Sequence, residues 1–105
     1  MMKQFDVYLV SLDPTVGSEI KKTRPAVIIS PDVLNKYLQT VIIAPLTHSI
    51  KGYPSRVASS FGRQKGEIVL DQIRAVDKIR LIKKTGKIDQ ATSDNIKIVL
   101  RTIFS

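Results

Sequence analysis

The chain predicts an α+β fold in which β dominates: a small antiparallel sheet curled towards a barrel, with a short connecting helix and a C-terminal helix. Three observations carry this. Short β-branched and apolar runs recur between Asp6 and Ile82 and end at turn-forming residues. One helix-start signal, Ser30-Pro31-Asp32, interrupts them. Beyond Lys83-Lys84-Thr85-Gly86-Lys87 the apolar spacing changes from the period of a strand to that of a helix. At 105 residues the chain suits one domain over residues 1–105, large enough to bury a core without disulfides or metals.

Asp6 to Leu12 alternates through Val7, Tyr8, Leu9 and Val10 and stops at Asp13-Pro14, which predicts a first strand and a turn. Pro14 to Arg24 has no apolar periodicity and carries Gly17, Ser18, Glu19, Lys21 and Lys22. It reads as a mobile loop, and a connection of that length in a small domain is commonly functional. Pro25 to Ile29 is a continuous apolar run, the mark of a strand buried on both faces. Ser30 then suits an N-cap, Pro31 the first helical position, where its missing N–H costs nothing, and Asp32 the positive end of the helix dipole. Val33, Leu34, Tyr37 and Leu38 share one face of that short helix. Thr40 to Leu46 returns to strand. Tyr53 to Ser59 alternates more weakly, Ser60 to Gly66 reads as a basic turn, and Glu67 to Val76 as a strand pair or one bent strand with a bulge or kink at Asp71-Gln72. Ile79 to Ile82 is a short final strand. Ile96, Val99, Leu100 and Ile103 then fall on one face of a helix that Asp89, Thr92 or Ser93 can cap.

Lys and Arg number 17 against 9 Asp and Glu, a formal charge of +8. An excess of that size on so small a body points to a polyanionic partner, nucleic acid ahead of an acidic protein and both ahead of lipid. The absence of cysteine excludes a disulfide framework, a thiolate nucleophile and a Cys-ligated metal, and suits a reducing cytoplasm. One His and scattered carboxylates do not form a metal-ligand set, so neither a metal nor a cofactor is expected. Met1-Met2-Lys3-Gln4-Phe5-Asp6 lacks the apolar stretch of a signal peptide, and no run approaches the length that spans a bilayer. The expected location is the cytoplasm, with no membrane partner.

Arg24, just before one apolar strand, and Thr47, at the end of another, put a permanent cation and a hydroxyl at strand edges. A guanidinium offers a planar fork of donors that matches a phosphate, and a hydroxyl can donate to or accept from the same group of oxygens. Together they suggest a phosphodiester site. Taken singly, Arg24 equally suits a charge that flanks an apolar strand, whereas Thr47 reads as an ordinary strand-end hydroxyl.

Read in order, Asp6-Val7-Tyr8-Leu9-Val10, Leu12-Asp13-Pro14, Gly17-Ser18-Glu19, Arg24-Pro25-Ala26-Val27-Ile28-Ile29-Ser30, Ala44-Pro45-Leu46-Thr47, Lys51-Gly52-Tyr53-Pro54 and Leu70-Asp71-Gln72-Ile73-Arg74 closely resemble the MazF/PemK family of toxin endoribonucleases. The resemblance runs from about Asp6 to about Leu81. It implies a small SH3-like, CcdB/MazF-type curled sheet, a homodimer, metal-independent and sequence-specific cleavage of single-stranded RNA (mRNA), and neutralisation by an acidic antitoxin protein. It also implies Arg24 and Thr47 as the catalytic pair, with Glu19 in support. One branch of the family relies on a loop His, an Arg and an Asp; of these only Asp71 matches, since Ser18 and Val69 occupy the other two positions.

Metal-free RNA cleavage must activate the 2′-OH, stabilise a negative phosphorane-like transition state and protonate the leaving 5′-oxygen. Arg24 suits the second task, and Thr47 can hold the phosphate in line. Glu19 can orient Arg24 or take the 2′-OH proton, or serve Lys21 and Lys22 as a counter-charge. His48, beside Thr47, reads as a bystander, because neighbours in a strand face opposite ways. RNA grip is expected from Lys21, Lys22, Lys51, Arg56, Arg63 and Lys65 on loops, with Ser18 and Asp71 beside them. Tyr53 is either a platform for a stacked base or a core residue next to Pro54, and Gln72 and Arg74 either read base edges or satisfy the sheet. The reading from another class is a non-catalytic module of the same fold, a gyrase poison resembling CcdB or a nucleic-acid-binding barrel, which would need neither Arg24 nor Thr47.

Overall fold

A computed structural model describes residues 2–12, 23–61 and 64–105. Among them the strands are β1 (Asp6–Ser11), β2 (Thr23–Ile28), β3 (Thr40–Thr47), β4 (Arg56–Phe61), β5 (Gln64–Val69), β6 (Arg74–Asp77) and β7 (Leu81–Lys87). The helices are α1 (Asp32–Tyr37) and α2 (Gln90–Phe104). All pairings are antiparallel, in the order β4-β5-β3-β2-β1-β7, and β6 also lies against β3. The α+β fold expected from the sequence is the one observed.

β3 is the spine because its side chains are buried on both faces. Ala44 and Leu46 enter one core with Val57, Ile68, Leu70 and Ile96, which α2 closes from outside. Val41 and Ile43 enter a second with Val10, Ala26, Ile28 and Val76. Ile96 has no exposed surface, and burying a side chain of that size contributes roughly 1.5–3 kcal/mol. Along its other edge β3 meets β6 at Thr40–Ile43 and β5 at Leu46–Thr47. The polar pair Asp71-Gln72 makes that change of partner possible by forming a short 3-10 turn, Leu70–Gln72, in place of the expected bulge. The strand-pair alternative for Glu67–Val76 is therefore the one adopted.

Several local expectations are corrected. Ser30 is not the N-cap of α1: Pro31 holds that position, and its carbonyl accepts from the N–H groups of Leu34 and Asn35. Ser30 is buried instead, where its hydroxyl donates to Asn35 Oδ1 at 2.5 Å and accepts from the Ile42 N–H at 3.0 Å. Ser30 and Asn35 are both cut off from water, so the hydroxyl is worth more there than at an exposed helix end. The apolar face that Val33, Leu34, Tyr37 and Leu38 share on α1, to which the sequence assigned no direction, is exposed, and Asn35 is buried. The final strand does not begin at Ile79, which lies in a 3-10 turn over Lys78–Arg80, but at Leu81, and it runs through the Lys-rich stretch to Lys87 as an edge strand. Such a strand needs no apolar alternation, and lysines discourage further pairing along it. One of them, Lys84, pairs with the buried Asp6 carboxylate at 3.3 Å. Of the three candidate caps for α2, Asp89 is used, accepting from the Thr92 N–H at 2.8 Å.

Candidate active site

Arg24 is the second residue of β2 and Thr47 the last of β3. β2 and β3 pair in the register Ala26↔Pro45, Val27↔Ala44, Ile28↔Ile43. Stepping that register two residues outward brings Arg24 opposite Thr47. Residues opposite one another share a face of the sheet, and here it is the face whose inner part, Ala26, Ile28 and Ile43, forms the second core. The cation and the hydroxyl thus stand where an immobile apolar face runs out to the rim. On the far side of β3, Thr47 pairs with Glu67 of β5, and Glu67 with Ala58 of β4. Arg24, Thr47 and Glu67 therefore form a row across three neighbouring strands. Of this row only Glu67 lines a cavity of about 460 Å³, which it shares with Ile50, Ser60, Lys65, Asp89 and Thr92 among others.

The Thr47 hydroxyl accepts from the Ser49 N–H at 3.1 Å, which turns the chain at the end of β3 and leaves the hydroxyl proton free to be donated. The following connection is tied to Glu67. Its Oε1 accepts from the Lys51 N–H at 3.0 Å and its Oε2 from the Gly52 N–H at 2.9 Å. Gly52 has φ +69, a conformation that turns successive N–H groups towards one acceptor and that glycine adopts without strain. Arg56 then links the same carboxylate, at 3.6 Å, to Asp71, at 3.4 Å, while the Ser55 hydroxyl donates to Asp71 at 2.9 Å. The guanidinium of Arg56 lies 4.9 Å from the centre of the Tyr53 ring.

Of the residues expected to grip RNA, Ser18, Lys21, Lys22 and Arg63 lie outside the described residues, as does Glu19. Lys51, Gln72 and Arg74 are exposed. Lys65 is exposed but belongs to β5, because β4 and β5 stay paired through Ser60↔Lys65 and Phe61↔Gln64. Arg56 also sits in a strand, and its side chain is only 11% exposed, its charge countered by Glu67 and Asp71. Tyr53 is 52% exposed and not in the core. His48 is exposed next to Thr47. Among the described residues no three His, Asp or Glu side chains gather where they could hold a metal ion.

Glu67 was not legible as a site residue. Its only signal is a carboxylate entering an apolar strand, Glu67-Ile68-Val69-Leu70, where an unpaired charge would be costly. The Lys51 N–H above all holds its carboxyl below the usual 4.5, against the effect of burial and with help from the Gly52 N–H and Arg56. For Asp71, burial pushes upward, but the bonds from Ser55, its own N–H and Arg56 together outweigh it and hold the group below 3.8. Stabilisation from groups lowered in the folded state is complete above their unfolded values and lost as pH falls through the folded ones. Thermal unfolding followed by circular dichroism should therefore show a melting temperature that declines as pH falls below about 4.5, and Glu67→Gln should make that decline shallower. An unchanged slope in the variant would deny Glu67 that role.

The family model described as PemK-like, MazF-like toxin of type II toxin–antitoxin system matches residues 3–104. Endoribonuclease EndoA of Bacillus subtilis is 34% identical over 107 residues, covering 96% of this chain and 92% of its own length. Endoribonuclease MazF of Staphylococcus saprophyticus is 43% identical over 90 residues, covering 80% of this chain and 75% of its own. The solved structure of an endoribonuclease in complex with its cognate antitoxin, from Mycobacterial species, shares the fold with a TM-score of 0.84 at 23% identity, covering 99% of this chain and 95% of that one. With the full run of strands, the Arg24–Thr47 register and matches of this extent in hand, the chain belongs to the PemK-like, MazF-like toxin family of type II toxin–antitoxin systems.

Proposed function

We propose that the chain is an endoribonuclease toxin of the cytoplasm that cleaves single-stranded RNA, mRNA included, at short sequences, without a metal, using Arg24 and Thr47 as its catalytic pair. The observation that carries this reading is the register that sets Arg24 opposite Thr47 at the rim of a rigid apolar face; the relatives named endoribonucleases support it. The RNA supplies its own nucleophile, the 2′-OH next to the scissile phosphate. As the P–O2′ bond forms and the P–O5′ bond breaks, the proton lost by the 2′-OH is balanced by one that the leaving 5′-oxygen takes up from water, and charge grows on the non-bridging oxygens, where the fixed guanidinium of Arg24 has its greatest effect. The Thr47 hydroxyl, oriented by Ser49, donates to the same phosphate and keeps attacking and leaving oxygens in line. Glu19 is assigned the supporting role, and Lys51, Lys65, Gln72 and Arg74 contact the strand. Purified protein should cut a long single-stranded RNA at a recurring short sequence in excess EDTA. Activity that appears only on adding Mg²⁺ or Mn²⁺ would overturn the metal-free mechanism.

Two partners complete the proposal. The outward apolar face of α1 adjoins Ile79, which is 88% exposed, since the Lys78 N–H donates to the Gln39 carbonyl at 2.9 Å and the Lys78 ammonium reaches the Asn35 carbonyl. A group of exposed apolar side chains on neighbouring segments suits an interface, and here we assign it to the homodimer. Wild-type protein should sediment with twice the chain mass at micromolar concentration, and Ile79→Asp should sediment as a monomer; a monomeric wild type would contradict the assignment. The second partner is an acidic antitoxin segment that competes with RNA for the cationic rim, with an affinity that weakens as salt rises. In support, a structural neighbour was solved in complex with its cognate antitoxin.

A further inference from the structure

Glu67 stands opposite Thr47 in the row that begins at Arg24, and a carboxylate there invites reading as the general base. Its bonding argues otherwise. Both oxygens are occupied by main-chain N–H groups of the connection that follows β3, the residue is 4% exposed, and Arg56 approaches at 3.6 Å. A base must be able to take up a proton within reach of substrate, whereas this carboxylate is enclosed by donors that favour its charged form. What it does hold is a short piece of chain. Lys51 and Gly52 are pinned by their own N–H groups, and Arg56, fixed between Glu67 and Asp71, lies 4.9 Å from the centre of the Tyr53 ring. Tyr53 is thereby backed by a guanidinium while half its surface remains open to solvent. An aromatic ring held in this way suits the stacking of an unpaired base, since the ordering cost is met before RNA arrives.

We propose that Glu67 is a positioning residue of the RNA site: it clamps the β3–β4 connection and, through Arg56, presents Tyr53 as a rigid stacking platform. The inference rests on the endoribonuclease reading for its effect on RNA, while the clamp itself can be measured without RNA. The chain contains no tryptophan, so Tyr53→Trp places a single fluorophore on the platform. In that background the steady-state anisotropy of the introduced indole should be that of a side chain tumbling with the whole protein, and adding Glu67→Gln should lower it clearly. In the otherwise wild-type chain, Glu67→Gln should raise KM for RNA by roughly tenfold, the loss expected when one stacked base is released, with kcat changed by less than about threefold. Glu67→Asp, which keeps the charge, should retain an intermediate KM and gives the same readouts should the amide variant fail to fold. Unchanged anisotropy overturns the clamp. A large loss of kcat at constant KM overturns the positioning role and makes Glu67 part of the chemistry. If the wild type cuts no RNA, the endoribonuclease reading fails, and with it the platform's purpose, whatever the anisotropy shows.

Discussion

Arg24→Ala should lower the rate of RNA cleavage by several orders of magnitude while RNA binding falls only modestly. Removing one preorganised donor to a developing oxyanion costs about 10²–10³-fold in other enzymes, and Arg24 brings a full charge as well as a fork of donors. Its position explains the expected split between rate and affinity. On the proposed reading the ground-state phosphate is one of several along the strand, and Lys51, Lys65 and Arg74 are assigned a share in neutralising them. In the transition state charge concentrates on the oxygens at the rim where Arg24 faces Thr47, and no other described cation has that register. Single-turnover rates together with affinity for an uncleavable analogue separate the two effects. Arg24→Lys keeps the charge but loses the planar fork, so it should recover only part of the rate. Full activity in the Lys variant would deny bidentate recognition, and equal losses of rate and affinity would make Arg24 a gripping residue.

The strands were legible wherever burial is two-sided or alternating. Pro25–Ile29 and Thr40–Leu46 announce themselves because β2 and β3 run through the middle of the sheet. Two kinds of information were not legible. Periodicity says which residues share a face and not which way the face points, so Val33, Leu34, Tyr37 and Leu38 could be placed together on one side of the helix without any sign that this side is exposed. Pairing across long sequence separation is also invisible: Glu67 meets Lys51 and Gly52 only because β3 and β5 adjoin, and no local spacing announces that. The same applies to Arg56, which its charge and setting put on a loop and which the fold turns into a bridge between two carboxylates. Arg24 and Thr47 were legible as chemistry and through the family resemblance, whereas their juxtaposition came from the register of β2 and β3.

The second large effect concerns the substrate. Among the described residues the rim offers a guanidinium, a hydroxyl, a committed carboxylate and, next to Thr47, the exposed His48, which is the chain's one histidine, and the chain has no thiol. The attacking oxygen is therefore assigned to the RNA itself. Replacing the ribose immediately 5′ of the cut by deoxyribose should abolish cleavage, because it deletes the nucleophile, yet leave affinity largely intact, because the phosphate, bases and neighbouring sugars are unchanged. The unmodified strand should yield a 2′,3′-cyclic phosphate and a 5′-hydroxyl. The decisive measurement is a side-by-side digestion of the two strands at equal bound fraction, with product ends assigned by mass spectrometry. No product from the deoxy strand, and cyclic phosphate ends from the other, is the predicted result; efficient cutting of the deoxy strand, or 5′-phosphate ends, would mean that water attacks and would contradict the assigned chemistry.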